Sequence, residues 1–144
     1  MKVLIISDTH SHNDVIDTLY KMYPNMDLYL HAGDSCSEEY ALYPFQTVKG
    51  NCDYDYRMME RFKCSTPYGN LLMKHVPNMD VDDLKKENIK IFVFGHLHER
   101  HFYKEDDIYF VAPGSTCREN DKYNNGYMIL DISSSRVEAT FFDL

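Results

Sequence analysis

The stretch that most limits how this chain can fold is Ile91-Phe92-Val93-Phe94-Gly95-His96-Leu97-His98. Four apolar residues in a row have no polar face to turn to water, so they read as a strand covered on both sides, as in the middle of a parallel sheet. Gly95 ends the run, and two imidazoles follow one residue apart where the backbone leaves the strand. In open α/β sheets ligands bind beyond the carboxyl ends of the strands. An imidazole pair at that position points to a metal site. A single His-x-His is often only a polar turn; here several other strands end the same way.

Lys2 to Ser7 reads as a first strand running into Asp8-Thr9-His10. Asn13 then stands as a helix N-cap, Val15, Ile16, Leu19 and Tyr23 share one helical face, and Pro24 stops the helix. Asp27 to His31 is a second strand with the exit Ala32-Gly33-Asp34-Ser35, followed by a brief helix over Glu38 to Tyr43 and a stop at Pro44. Phe45 to Lys49 is a third strand with the exit Gly50-Asn51-Cys52-Asp53. Three strands joined by short helical crossovers predict a parallel βαβ core. Arg57 to Ser65 and Leu71 to His75 flank hairpin turn chemistry at Thr66 to Asn70. A thin helix over Asp80 to Asn88 precedes the Ile91–Phe94 strand. Glu99 to Lys104 and Ile108 to Ala112 form another hairpin, and Tyr127 to Ile132 and Arg136 to Phe142 close the fold as antiparallel strands. The expectation is one α/β (α+β) domain over residues 1–144, with two sheets face to face and helices outside.

A chain of 144 residues that is 44% hydrophobic has enough apolar material for a real core. Its net charge of −8 argues against a grip on extended nucleic acid, which needs a broad Lys/Arg surface. A small anionic substrate stays open, because bound divalent cations reverse the local field. The four cysteines (Cys36, Cys52, Cys64, Cys117) form no C-x-x-C pair, which favours reduced thiols over a disulfide framework. The apolar run Val3–Ile6 is too short for a signal peptide, and no stretch approaches the ~20 residues that span a bilayer. The expected location is the cytoplasm, with no membrane contact.

Five strand ends carry metal-type donors: Asp8 and His10, Asp34, Asn51, His75, and His96 and His98. Mixed imidazole, carboxylate and amide donors suit Mn, Fe, Zn, Co or Ni better than Mg or Ca. Seven side chains are too many for one ion that keeps a reactive water, and they fit two ions sharing a carboxylate. Taken singly the residues read otherwise. Asp8 would be a helix cap, Asp34 and Asn51 turn residues, and His75 a strand-end histidine; their joint placement favours the ligand reading. His31 reads as a core or supporting residue, and Asp53 as a residue that orients its loop.

Asp8-Thr9-His10, Gly33-Asp34, Gly50-Asn51, His75 and Gly95-His96-Leu97-His98, in this order, resemble the calcineurin-like metallophosphoesterases. The size and the form Gly50-Asn51-Cys52-Asp53 look like the small bacterial and archaeal phosphodiesterase branch, which also includes the retromer scaffold subunit of eukaryotes. The resemblance implies a four-layer αββα sandwich of two mixed sheets flanked by helices, with two divalent transition-metal ions, manganese first among them. One ion would take Asp8, His10, Asp34 and His98, and the other Asp34, Asn51, His75 and His96, with Asp34 as the bridge. Asn51 and His75 would also position the phosphate. The implied reaction is in-line attack of a metal-bridging hydroxide on a small phosphoester.

This chain departs from the family pattern at three places. Val76 and Pro77 follow His75 where many relatives have Gly and His. Ala112 precedes Pro113 where relatives carry Asn, and Arg118, the candidate substrate contact, lies earlier than the family's Arg. Cys52 stands where other branches have a His thought to assist the leaving group; a thiol is a poorer acid, so diesters with good leaving groups are expected to react faster than monoesters. Cys52 and Asp53 are placed near the leaving group or behind the ligands. The alternatives are a phosphomonoesterase or small nuclease of the same family, and a non-catalytic scaffold of the retromer type. Relatives are often dimers or larger, and a homo-oligomer is left open.

Overall fold

The computed structural model describes residues 1–117 and 125–144. Its elements run β1 (Lys2–Ile6), α1 (Asp14–Met22), β2 (Leu28–His31), a 3-10 turn at Glu39–Leu42, β3 (Gln46–Thr47), β4 (Arg61–Thr66), β5 (Gly69–Lys74), α2 (Val81–Lys86), β6 (Ile89–Val93), β7 (Arg100–Glu105), β8 (Ile108–Pro113), β9 (Gly126–Ile132) and β10 (Val137–Asp143). They form two five-stranded sheets with the orders β10-β9-β1-β2-β3 and β4-β5-β6-β8-β7. Both are mixed. In the first, β1, β2 and β3 are parallel and β9 and β10 antiparallel. In the second, β5, β6 and β8 are parallel and the outer strands antiparallel.

Side-chain alternation along each strand builds the layers. Val3 and Ile5 of β1, Leu71 and Met73 of β5, Ile91 and Val93 of β6 and Met128 and Leu130 of β9 meet in the core between the sheets. The intervening residues face outward: Leu4 and Ile6 pack under Ile16 and Leu19 of α1, and Leu72, Phe92 and Phe110 pack under Leu84 of α2. The result is the expected four-layer sandwich, each outer layer holding one short helix. Fully burying an aliphatic or aromatic side chain of this size stabilises by roughly 1.5–3 kcal/mol, so both faces of β1 and β6 contribute.

Local chemistry sets the ends of the elements. Asp80 caps α2 by accepting from the Asp83 backbone while the Asp83 side chain accepts from the Asp80 backbone. Asn88, with φ 57°, ends the turn beyond α2, so the helix is shorter than expected and β6 begins at Ile89. Asp106 and Asp107, with φ 48° and 63°, make the two-residue turn between β7 and β8. The third strand is shorter than the sequence suggests: as an edge strand, Gln46–Thr47 pairs only with β2. Asn13 precedes α1 without capping it, because its Oδ1 accepts from Thr9 Oγ1 at 2.5 Å.

The parallel strands of both sheets point their carboxyl ends to one rim. His31, at the end of β2, is fully buried beneath it. Gly33 N donates to its Nδ1 at 3.1 Å, so the ring proton sits on Nε2, 3.0 Å from Thr9 Oγ1. Burial lowers its pKa to about 4 from the ordinary 6.5, and protonating Nδ1 would also break the bond from Gly33. The unfolded ring therefore takes up its proton near pH 6.5 and the folded ring only near 4. Stability contributed by neutral His31 is complete above pH 6.5 and is lost as pH falls to about 4, a change on the order of 3 kcal/mol. Denaturant titrations across that window should show wild-type stability falling more steeply than that of His31→Gln; equal slopes would contradict this account of the ring.

Candidate metal centre

Each loop that carries candidate ligands leaves the carboxyl end of a parallel strand. Asp8 and His10 leave β1, Asp34 leaves β2, Asn51 lies beyond β3, His75 ends β5, and His96 and His98 leave β6. Asp8, His10, Asp34, His96 and His98 all have positive φ, between 43° and 69°. Backbone in that region is strained for residues with a Cβ; Asp8, His10, Asp34 and His98 meet over the rim, whereas the His96 side chain is exposed and joins neither carboxylate.

The two carboxylates are built alike. Asp8 Oδ2 accepts from Ser7 Oγ at 2.5 Å and from His96 N at 3.1 Å, leaving Oδ1 aimed at the imidazoles. Asp34 Oδ1 accepts from Cys52 N at 3.0 Å, leaving Oδ2 free to do the same. Asp8 Oδ1 lies 3.2 Å from His98 Nε2, 3.9 Å from His10 Nε2 and 4.0 Å from His75 Nε2. Asp34 Oδ2 lies 3.3 Å from His75 Nε2 and 3.9 Å from His10 Nε2. Two triads result, Asp8–His10–His98 and Asp8–Asp34–His75. Asp8 Oδ1 is common to both, and Asp34 Oδ2 reaches imidazoles of both.

The donor chemistry fits cations. The carbonyl of Ala32 accepts from His75 Nδ1 at 2.7 Å, which fixes that ring proton and leaves Nε2 as a lone pair. His75 Nε2 and Asp8 Oδ1 are both buried with no hydrogen-bond partner. Two acceptors facing each other at 4.0 Å cannot satisfy one another, and a cation between them can. His10 Nε2 and His98 Nε2 lie 3.4 Å apart, about the edge of a tetrahedron with the ~2.1 Å arms typical of metal–imidazole bonds. Without a cation, burial raises the pKa of Asp8 against the opposing pull of Ser7, His75 and His98. Burial also raises that of Asp34, but the pull of a His75 ring protonated in place of a cation, 3.3 Å away, and the bond from the Cys52 backbone outweigh it and bring the value to about 2. Burial disfavours the His75 imidazolium; its contact with Asp34, the Ala32 carbonyl and the charges of Asp8 and Asp34 outweigh that, and its pKa rises.

Close approach explains two of the motif glycines. A Cβ on Gly50 would sit 2.1 Å from Asp34 Oδ1, and one on Gly95 2.1 Å from Ser7 Oγ and 2.8 Å from Asp8 Oδ2. His96 packs edge-on against His75 at 5.2 Å between ring centroids. Asn51 is exposed and, with His75, borders a cavity of about 360 Å³ that Lys49, Glu60 and Lys74 also line. Asp53 binds no imidazole. Its Oδ2 accepts from Asp34 N and Gly50 N, and its Oδ1 from Ser35 Oγ and Cys36 N, so it ties two ligand loops together. Ser7 and Ser115, which the sequence did not single out, support the Asp8 loop; Ser115 Oγ donates to the Asp8 carbonyl at 2.9 Å. Arg118 lies outside the described residues.

One expectation is overturned. Cys36 and Cys52 form a disulfide, and only Cys64 and Cys117 are free. The exits of β2 and β3 leave neighbouring strands at the same rim, which brings the two Cα atoms to 5.6 Å across a sequence separation of 16 that no short motif reveals. As part of this bridge Cys52 carries no thiol proton, so it is not a weak acid beside the leaving group but no acid at all.

Cations and protons compete for His75 Nε2, and its raised pKa moves that competition to higher pH than for an ordinary imidazole. Apparent manganese affinity of chelator-stripped protein, measured by calorimetry, should keep climbing as pH rises past 6.5; a plateau from pH 6 upward would contradict the assignment. Saturating manganese, at about 100 times the Kd of each site, should stabilise the fold by about 2.7 kcal/mol per bound ion, and Asp34→Asn should lose most of that gain.

The model of the calcineurin-like phosphoesterase superfamily domain matches residues 1–135. A probable metallophosphoesterase of Bacillus subtilis is 26% identical over 157 aligned positions, covering 99% of this chain and 91% of its own. A phosphodiesterase of Methanocaldococcus jannaschii is 25% identical, covering 81% of this chain and 85% of its own. The crystal structure of a conserved uncharacterized protein of Streptococcus pneumoniae, described as a predicted phosphoesterase, superposes with a TM-score of 0.84 at 22% identity, over 96% of this chain and 86% of that one; it shares the fold. With matched sequence over nearly its whole length and its acidic and imidazole side chains gathered at one strand rim, this chain belongs to the calcineurin-like phosphoesterase superfamily.

Proposed function

We propose that the protein is a metal-dependent phosphodiesterase that holds two divalent cations, manganese first among them, at the rim where the two sheets' parallel strands end. The observation that carries this reading is the pair of buried, unpartnered acceptors Asp8 Oδ1 and His75 Nε2, set among His10, Asp34 and His98. Bound there, two cations supply positive charge for a phosphoester and acidify water for an in-line displacement at phosphorus.

The chain's own residues do the rest. Ser7, the His96 backbone and Ser115 hold Asp8 in one orientation, and the Cys52 backbone and Asp53 hold Asp34. Neutral imidazoles leave part of the cations' charge uncancelled, so an anionic ester is still attracted. Asn51 donates through its side-chain amide to a phosphate oxygen at the mouth of the cavity, and Lys49 and Lys74 add positive charge along its wall in an otherwise acidic protein. With Cys52 in a disulfide there is no side-chain acid at that position, which favours esters whose alcohol leaves without protonation.

Chelator-stripped protein should hydrolyse bis-p-nitrophenyl phosphate faster than p-nitrophenyl phosphate, and only after manganese is added. Asp34→Asn should lower turnover by more than the roughly 10–100-fold that loss of an outer partner costs a metal site. Cys52→His should raise the monoester-to-diester ratio, while Cys52→Ala, which opens the disulfide without placing an acid at that position, should not. Faster turnover of the monoester would make this a phosphomonoesterase. Folded, metal-loaded protein with no turnover of either ester would overturn the enzyme reading.

A further inference from the structure

His10 has two ring nitrogens and the candidate centre uses one of them. Its Nε2 faces Asp8, Asp34 and His98. Its Nδ1 faces the other way, 4.0 Å from Cys36 Sγ and 3.9 Å from Cys52 Sγ. We propose that Cys36, Cys52 and His10 Nδ1 form a separate binding site for a soft divalent cation such as zinc or cadmium, open when the Cys36–Cys52 disulfide is reduced and closed when it is formed. The proposal does not rest on the phosphoesterase reading.

Tetrahedral coordination with metal–sulfur bonds of ~2.3 Å and metal–nitrogen bonds of ~2.1 Å needs nitrogen–sulfur edges of about 3.6 Å. The two observed separations from Nδ1 need to close by only a few tenths of an ångström. Breaking the disulfide does not release the loops that carry the sulfurs. Asp53 still accepts from Cys36 N, Asp34 N and Gly50 N, and Cys52 N still donates to Asp34 Oδ1. Both thiols therefore stay beside His10. Cys52 is exposed and Cys36 half-buried, so reductant and cation have access, and the fourth coordination position faces solvent.

The chemistry balances with a phosphine as reductant. Phosphorus is oxidised to the phosphine oxide with oxygen from water, the disulfide takes two electrons, and the two protons of that water go to the thiols. Cation binding then replaces those two protons, which pass to solvent. A neutral imidazole has one lone pair, so when Nδ1 binds the soft cation the ring proton moves to Nε2. His10 then leaves the other centre, and the two sites exclude one another at this residue.

The test titrates cadmium into phosphine-reduced and into oxidised full-length protein, and reads thiolate-to-cadmium charge-transfer absorption. Oxygen and nitrogen donors alone do not give this band, so it is independent of hydrolytic activity. Reduced protein should develop the band with one cadmium per chain, and oxidised protein, which can hold cadmium only through oxygen and nitrogen donors, should show no band. The band should survive in Cys64→Ser and Cys117→Ser and vanish in Cys36→Ser, and His10→Gln should weaken binding more than about tenfold. Reduced, folded protein whose thiols react freely yet give no band would overturn the proposal, as would unchanged cadmium affinity in His10→Gln or loss of the fold on reduction.

Discussion

Two aspartates and several imidazole lone pairs converge on a small, mostly buried volume, and the other features of the rim follow from that. Asp8 is fully buried, and Asp34 and His75 nearly so. Ionised carboxylates in such a place are destabilising unless paired. The described residues give each carboxylate hydrogen bonds on one oxygen only, and the Nδ1–H of His75 donates to the Ala32 carbonyl, which leaves its Nε2 unpartnered. The remaining lone pairs face each other. Cations remove that conflict, and the same charge that stabilises the rim is what an anionic ester would meet on arriving.

Holding those side chains in position strains the backbone. Five of the seven candidate ligands sit at positive φ, and Gly50 and Gly95 are required because a Cβ would strike the very carboxylates being held. Strain at five positions in one small region persists only where the surroundings fix it. Here the fixing comes from below: strands buried on both faces, Asp53 tying the exits of β2 and β3, and neutral His31 bonded to Thr9 and Gly33 beneath the rim. The rigid sandwich thus supports a strained edge, and a disulfide at that edge joins two of its loops.

The sequence disclosed the fold well because its signals are local. Unbroken apolar runs in β1, β5 and β6 marked strands buried on both faces, and Gly or Asp at strand exits marked the rim. The gathering of Asp8, His10, Asp34, His75 and His98 was legible because each closely follows a well-marked strand, so that topology carries them to one edge. What stayed hidden depends on pairing between loops. Nothing short in the sequence links Cys36 to Cys52, or assigns Asp53 the backbone amides of two loops, or pairs His75 Nδ1 with the Ala32 carbonyl. The first two appear only once the strand order β1-β2-β3 is known, and the third only once the two sheets are packed face to face. The length of β3 was overestimated because Phe45 and Val48 are apolar for reasons of packing under the helix layer and between the sheets, not of strand pairing.

The central claim is that this rim holds two cations close enough to share a carboxylate. Electron paramagnetic resonance of protein loaded with manganese to saturation tests it directly. The account predicts two manganese ions per chain and the spectrum of an exchange-coupled pair, replaced by uncoupled ions in Asp34→Asn. A spectrum of isolated manganese in the folded wild-type protein, at one ion per chain or fewer, would contradict it.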